Sequence, residues 1–172
     1  MKRSRIAAVA AVLVVSTAAL SGCYNGPEAT TTSMASGNTG NGVDQLQGDI
    51  QIEDATLVMG AEGTGSATLV VRLVNVGVEP DALTYATING SPADIVVADD
   101  SVTPGSPVEL PPGSSTGFGH DSDNYLSLQS GLDVPVSSYV PIQLGFRNAG
   151  LAEMQVLTVP PVGYYEGVTP QP

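Results

Sequence analysis

The chain has 172 residues, 42% of them hydrophobic, with 17 Asp and Glu against five Lys and Arg, a formal net charge of −12. That length fits one domain with appendages. The charge leaves no basic footprint for nucleic acid or anionic lipid headgroups, and a single cysteine, Cys23, excludes an intramolecular disulfide.

The chain opens on a secretory pattern. Lys2, Arg3 and Arg5 form a basic start, and Ile6 to Leu20 carries no charge. A spanning helix needs about 18–20 apolar residues, so this run is too short to cross a bilayer. Leu20-Ser21-Gly22-Cys23 follows and resembles the lipobox of bacterial lipoproteins. That resemblance implies cleavage after residue 22 and a diacylglyceryl group on the Cys23 thiol; an ordinary signal peptide would leave Cys23 unmodified. One acyl chain anchors marginally and two or more hold stably, at ~0.8 kcal/mol per buried CH2. The expected location is the extracytoplasmic face of the cell membrane. Removal of residues 1–22 leaves Arg72 and Arg147 against all 17 carboxylates. Such a surface either steers a basic partner or keeps an exported protein soluble.

Residues 23–47 are read as the lipidated cysteine and a flexible tether. Gly, Ser, Thr and Asn dominate, and too little apolar surface is present to offset ordering entropy. The 24 residues from Tyr24 would span roughly 25–30 Å. The domain is expected from 48 to 162. Gly48 to Met59 alternates imperfectly. Ser66 to Val76 is the clearest strand, with Ala67, Leu69, Val71 and Leu73 on one face and Val70, Val74 and Val76 on the other. Apolar residues on both faces predict a central strand. Further strands are expected at Ala82–Ile88, Asp94–Ala98, Pro107–Leu110, Tyr125–Gln129, Tyr139–Arg147 and Glu153–Val159. Gly, Pro and Asn turns separate them, and no capped helix follows the signal. The pattern predicts an all-β fold, an antiparallel sandwich. Residues 163–172 read as a tail without periodicity.

The order Leu110-Pro111-Pro112-Gly113, Tyr125-Leu126-Ser127-Leu128, Gly131-Leu132, then Val140 to Phe146, resembles periplasmic copper chaperones of the PCu(A)C type. Those proteins have an Ig-like, cupredoxin-like sandwich. The first half fits through Ala67 to Asn75, Gly77 and Asp81-Ala82-Leu83. With the lipobox and acidic tether, the chain is most similar to the actinobacterial LpqE-type lipoproteins of that group. The family binds copper through His and Met. Its "His-x-Met" pair aligns with Leu126 and Leu128, and Ala93 to Val108, where the upstream pair aligns, holds neither residue type. Cu(I) prefers thioether and imidazole, and beyond residue 22 the chain offers only His120, Met34, Met59 and Met154. The reading is that the fold persists without the family's copper ligands, so no cofactor is expected; copper, with His120 as one ligand, is the alternative.

Other candidate sites are thinner. His120 sits in the polar turn Gly119-His120-Asp121-Ser122-Asp123-Asn124 and lacks metal partners at a standard spacing. Asp121 and Asp123 hint at a calcium loop, but loop positions 6 and 12 would be Leu126 and Leu132 in place of Gly and Glu. Gly113-Ser114-Ser115-Thr116-Gly117 fits G-x-S-x-G, yet no helix pattern follows it. The chain has no Trp to line a sugar cleft. No catalytic constellation emerges, and a non-enzymatic protein is expected. Tyr164 and Tyr165, after Pro160-Pro161, either anchor an interface or fold back and cover a sheet edge. Together with Asp121 and Asp123 they are the expected partner contacts. The LpqE-type resemblance implies association with the respiratory supercomplex of cytochrome bcc and cytochrome oxidase.

Overall fold

A computed structural model describes residues 42–98, 106–120 and 122–168. The signal segment, Cys23, Met34, Asp99, Asp100 and Asp121 lie outside the described residues. Within them the chain is all β apart from one 3-10 turn. The strands are β1 (Val43–Gln47), β2 (Ile50–Met59), β3 (Ala67–Asn75), β4 (Asp81–Ile88), β5 (Ser91–Pro92) and β6 (Asp94–Val96). They continue with β7 (Val108–Leu110), β8 (Ser115–Phe118), β9 (Tyr125–Leu128), β10 (Tyr139–Phe146) and β11 (Gly150–Val159).

The expected sandwich is present. In one sheet β2 lies between β1 and β3; β8 and β9 share the far edge of β3, and β6 pairs with β9. In the other sheet β4 lies between β10 and the short strands β5 and β7, and β10 pairs with β11. Strand β11 joins the two: its end, Thr158 and Val159, pairs in parallel with Leu57 and Val58 of β2. The remaining pairings are antiparallel. As the two-faced hydrophobic pattern required, β3 is central, hydrogen-bonded on both edges. Its inner face, with Leu69 and Leu73, packs on Ile50, Leu83, Phe118, Ile142 and Leu144, all almost wholly buried.

The sheet begins earlier than the expected Gly48. Val43–Gln47, assigned to the tether, forms β1. Polar side chains hold this strand. Asp54 N–H donates to the Asp44 carboxylate at 2.7 Å, and Gln47 Nε2 donates to the Ala149 carbonyl at 2.8 Å. Asp54 has φ 57° at a bulge where the β2–β3 register shifts, which bends the strand locally. Two short strands, β5 and β8, were not expected.

Two buried polar residues fix the loops at one end. Asn75 is 1% exposed. Its Nδ2 donates to the Glu79 and Leu110 carbonyls, both at 2.8 Å, and its Oδ1 accepts from Gly77 N at 2.9 Å. Asp81 Oδ1 accepts from Ala82 N at 2.7 Å and Asn148 N at 2.9 Å, and Oδ2 accepts from Ala149 N at 2.8 Å. Burial pushes the Asp81 pKa up. The three backbone donors and the nearby Arg147 charge outweigh it and hold the carboxyl below its ordinary range. Arg147 forms a two-pronged pair with Glu109, Nη2 to Oε1 at 2.6 Å and Nη1 to Oε2 at 3.1 Å.

Candidate functional site

The positions where the resemblance places the copper pair are interior. Leu126 is wholly buried and lies between Leu69 of β3 and Ile95 of β6. Leu128 is 8% exposed and faces Ala67. Strand alternation turns both side chains into the core, so hydrocarbon fills the space that imidazole and thioether would need. Of the thioethers, Met154 is buried in the core, while Met59, at the end of β2, is partly buried and packs against the same core. No cluster of three or more His, Cys, Asp or Glu able to hold a metal occurs among the described residues. Leu126 and Leu128 themselves offer neither imidazole nor thioether.

Sequence reasoning treated His120 and the tyrosine pair separately; the fold brings them together. Tyr164 stacks on the His120 imidazole with ring centroids 4.1 Å apart and planes 18° from parallel. Tyr165 meets Tyr164 edge to face at 5.1 Å. Pro160-Pro161 turns the chain away from β11, and the 3-10 turn at Gly163–Tyr165 splits the two rings to opposite tasks. Tyr164 is 62% exposed above His120. Tyr165 folds inward, and its hydroxyl donates to Thr56 Oγ1 at 3.3 Å. Val168 completes the contact by packing with Val58, Val70 and Val159 on the outer face of the first sheet. Of the two roles open to the tyrosines, Tyr165 takes the covering one, over a sheet face rather than an edge. Tyr164 remains available for contact. Asp123 is exposed near this end.

Sequence reasoning missed a cleft. It has a volume of about 730 Å³ and lies between the β2–β3 hairpin, residues 60–66, and the β9–β10 loop, residues 131–136. Met59, Leu132, Val134, Val136 and Pro161 give it an apolar lining, and Glu62 and Asp133 stand at its exposed rim. Both walls are braced. Leu132 N donates to the Gly65 carbonyl at 2.9 Å, and Gly60 N to the Ser66 carbonyl at 2.8 Å. Thr158 Oγ1 donates to the Pro135 carbonyl at 3.1 Å and accepts from Ser138 N at 2.9 Å, pinning the second wall to β11. Gly65 has φ +63°, and a Cβ there would stand 3.0 Å from Gly131 N, so only glycine lets the walls meet. The one sequence signal for the cleft was the density of Gly and Pro at 60–65, 131–135 and 160–161.

The G-x-S-x-G match is no nucleophile elbow. Ser115 to Gly117 belong to β8, an edge strand paired with β3.

No family model matches the sequence, and no curated protein matches it. Solved structures do. A copper-bound PCuAC domain from PmoF2 superposes with a TM-score of 0.60 at 22% identity, covering 69% of this chain and 99% of that domain. The apo form of that domain gives 0.60 at 23% identity, with 70% and 98% coverage. The apo PCuAC domain from PmoF1 gives 0.60 at 21%, with 69% and 100% coverage. The chain has the PCuAC fold.

Proposed function

We propose that the chain is a non-enzymatic lipoprotein, held at the extracytoplasmic membrane face through lipid on Cys23, that acts by protein contact. In this reading it is an accessory subunit or assembly factor of the cytochrome bcc–oxidase supercomplex. One observation carries the contact role: a PCuAC fold in which Leu126 and Leu128, where the sequence resemblance places the copper pair, are buried leucines. Both arginines of the domain also approach carboxylates, Arg147 on Glu109 and Arg72 4.0 Å from Glu53. The remaining acidic surface therefore favours a basic partner. The lipobox-like Leu20-Ser21-Gly22-Cys23 supports the anchor, and the LpqE-type resemblance supports the choice of supercomplex. An anchor raises the effective concentration of the domain near membrane partners.

Copper carriage for oxidase assembly is the second reading, favoured by the fold shared with a copper-bound domain. Mild detergent extraction with tagged full-length protein tests the first reading: bcc and oxidase subunits are expected to co-purify. Cu(I) titration of the domain separates the two. Tight 1:1 binding abolished by His120→Ala would establish the second and overturn the first.

A further inference from the structure

The cleft between the 60–66 hairpin and the 131–136 loop has walls set by backbone hydrogen bonds and by Thr158, so it is formed before anything enters. Its volume, about 730 Å³, is that of a binding site rather than a packing defect. Its chemistry is one-sided. Met59, Leu132, Val134 and Val136 present hydrocarbon and a thioether. Pro135, Pro160 and Pro161 have no N–H to offer. Glu62 and Asp133, exposed at the rim, only accept when ionised. Among the described residues no Lys, Arg or His lines the cleft, and the Thr64 and Ser66 hydroxyls are engaged with the Ala61 carbonyl and with each other. The site thus has apolar area and acceptor carboxylates but no positive charge, which an occupant must bring.

Building on the protein-contact reading, we infer that this cleft is the docking groove for an extended segment of a partner protein in which a Lys or Arg adjoins a large apolar residue. The apolar side chain enters between Met59, Leu132 and Val136. The basic group reaches Glu62 and Asp133 at the rim. The glycine-rich hairpin, with Gly63 open to solvent and no atom within 4 Å of its would-be Cβ, lets a second backbone approach.

Site-directed photo-crosslinking in native membranes tests this with the full-length, lipid-modified chain. A photoreactive residue replaces Val136 at the groove, which is 46% exposed. In a second variant it replaces Gln155, exposed on the outer face of the other sheet. The expected result is an adduct from position 136 only. Mass spectrometry should map it to a partner segment with Lys or Arg within two residues of a large apolar one. Glu62→Gln with Asp133→Asn, or high salt, should lower its yield about threefold. Adducts from position 155 alone overturn the groove and leave the contact reading standing. Protein adducts from neither position overturn both. A mapped segment without a basic residue, an adduct to a lipid or other small molecule, or a yield unmoved by the double substitution overturns the proposed partner chemistry.

Discussion

Tyr164 lies flat on His120, and this pairing brings the chain's C-terminal segment against the loop between β8 and β9. An aromatic pair contributes about 0.5–1.5 kcal/mol beyond its buried area. Burying one Val contributes about 1.5–3 kcal/mol. Val168 therefore holds this segment more firmly than the ring stack. Hydrogen exchange at residues 163–168 should rise modestly in His120→Ala and strongly in Val168→Asp, while protection of β2 and β3 stays near wild type.

Asp81→Asn should cost about 2–3 kcal/mol, because an amide offers one acceptor oxygen where three backbone N–H groups converge. The sign of the pH dependence follows from the depressed pKa. Stability from ionised Asp81 is fully present above the unfolded value of about 3.9, and is lost as pH falls through the lower folded value. Urea titrations between pH 3 and 7 should show the wild-type advantage over Asp81→Asn shrinking only below about pH 4.

Restoring the chaperone pair should not restore a copper site. Leu128→Met conserves volume and should cost less than about 1.5 kcal/mol. Leu126→His places an imidazole where no described donor waits, a penalty of about 2 kcal/mol or more. The double variant should melt lower than wild type and show no tight Cu(I) binding. A high-affinity signal would show that residues near 93–108 supply ligands after all.

Gly65→Ala should destabilise by about 1–3 kcal/mol through its positive φ and the approach of Gly131 N. Gly63 also has positive φ, at +80°, but faces open space. Gly63→Ala should therefore cost less. Thermal melts of the two variants compare strain alone with strain plus collision.

Cys23→Ala should move the protein from the membrane to the soluble fraction with its circular dichroism unchanged. Membrane retention of this variant would remove the anchor from the proposed function.

The strands were legible where apolar side chains recur at period two, as in β3, β10 and β11. β1 was not, because Leu46 points to solvent at 65% exposure, and the strand is fixed by a hydrogen bond accepted by the Asp44 carboxylate and one donated by the Gln47 amide. β8 has one large apolar residue, Phe118, too few to show a period. Leu126 and Leu128 were legible through alignment to a short motif. The His120–Tyr164 contact and the cleft depend on which loops the topology brings together, and no local pattern encodes that.

The parallel pairing of β11 with β2 also dictates an order of events. Leu57 and Val58 must wait for Thr158 and Val159, so strand pairing between the two sheets is not complete until almost the whole domain is available. Such long-range closure is slow, and a chain still emerging from a channel lacks its last strand. Under the exported-lipoprotein reading proposed above, placing the joining strand last would delay compaction until threading across the membrane is nearly done.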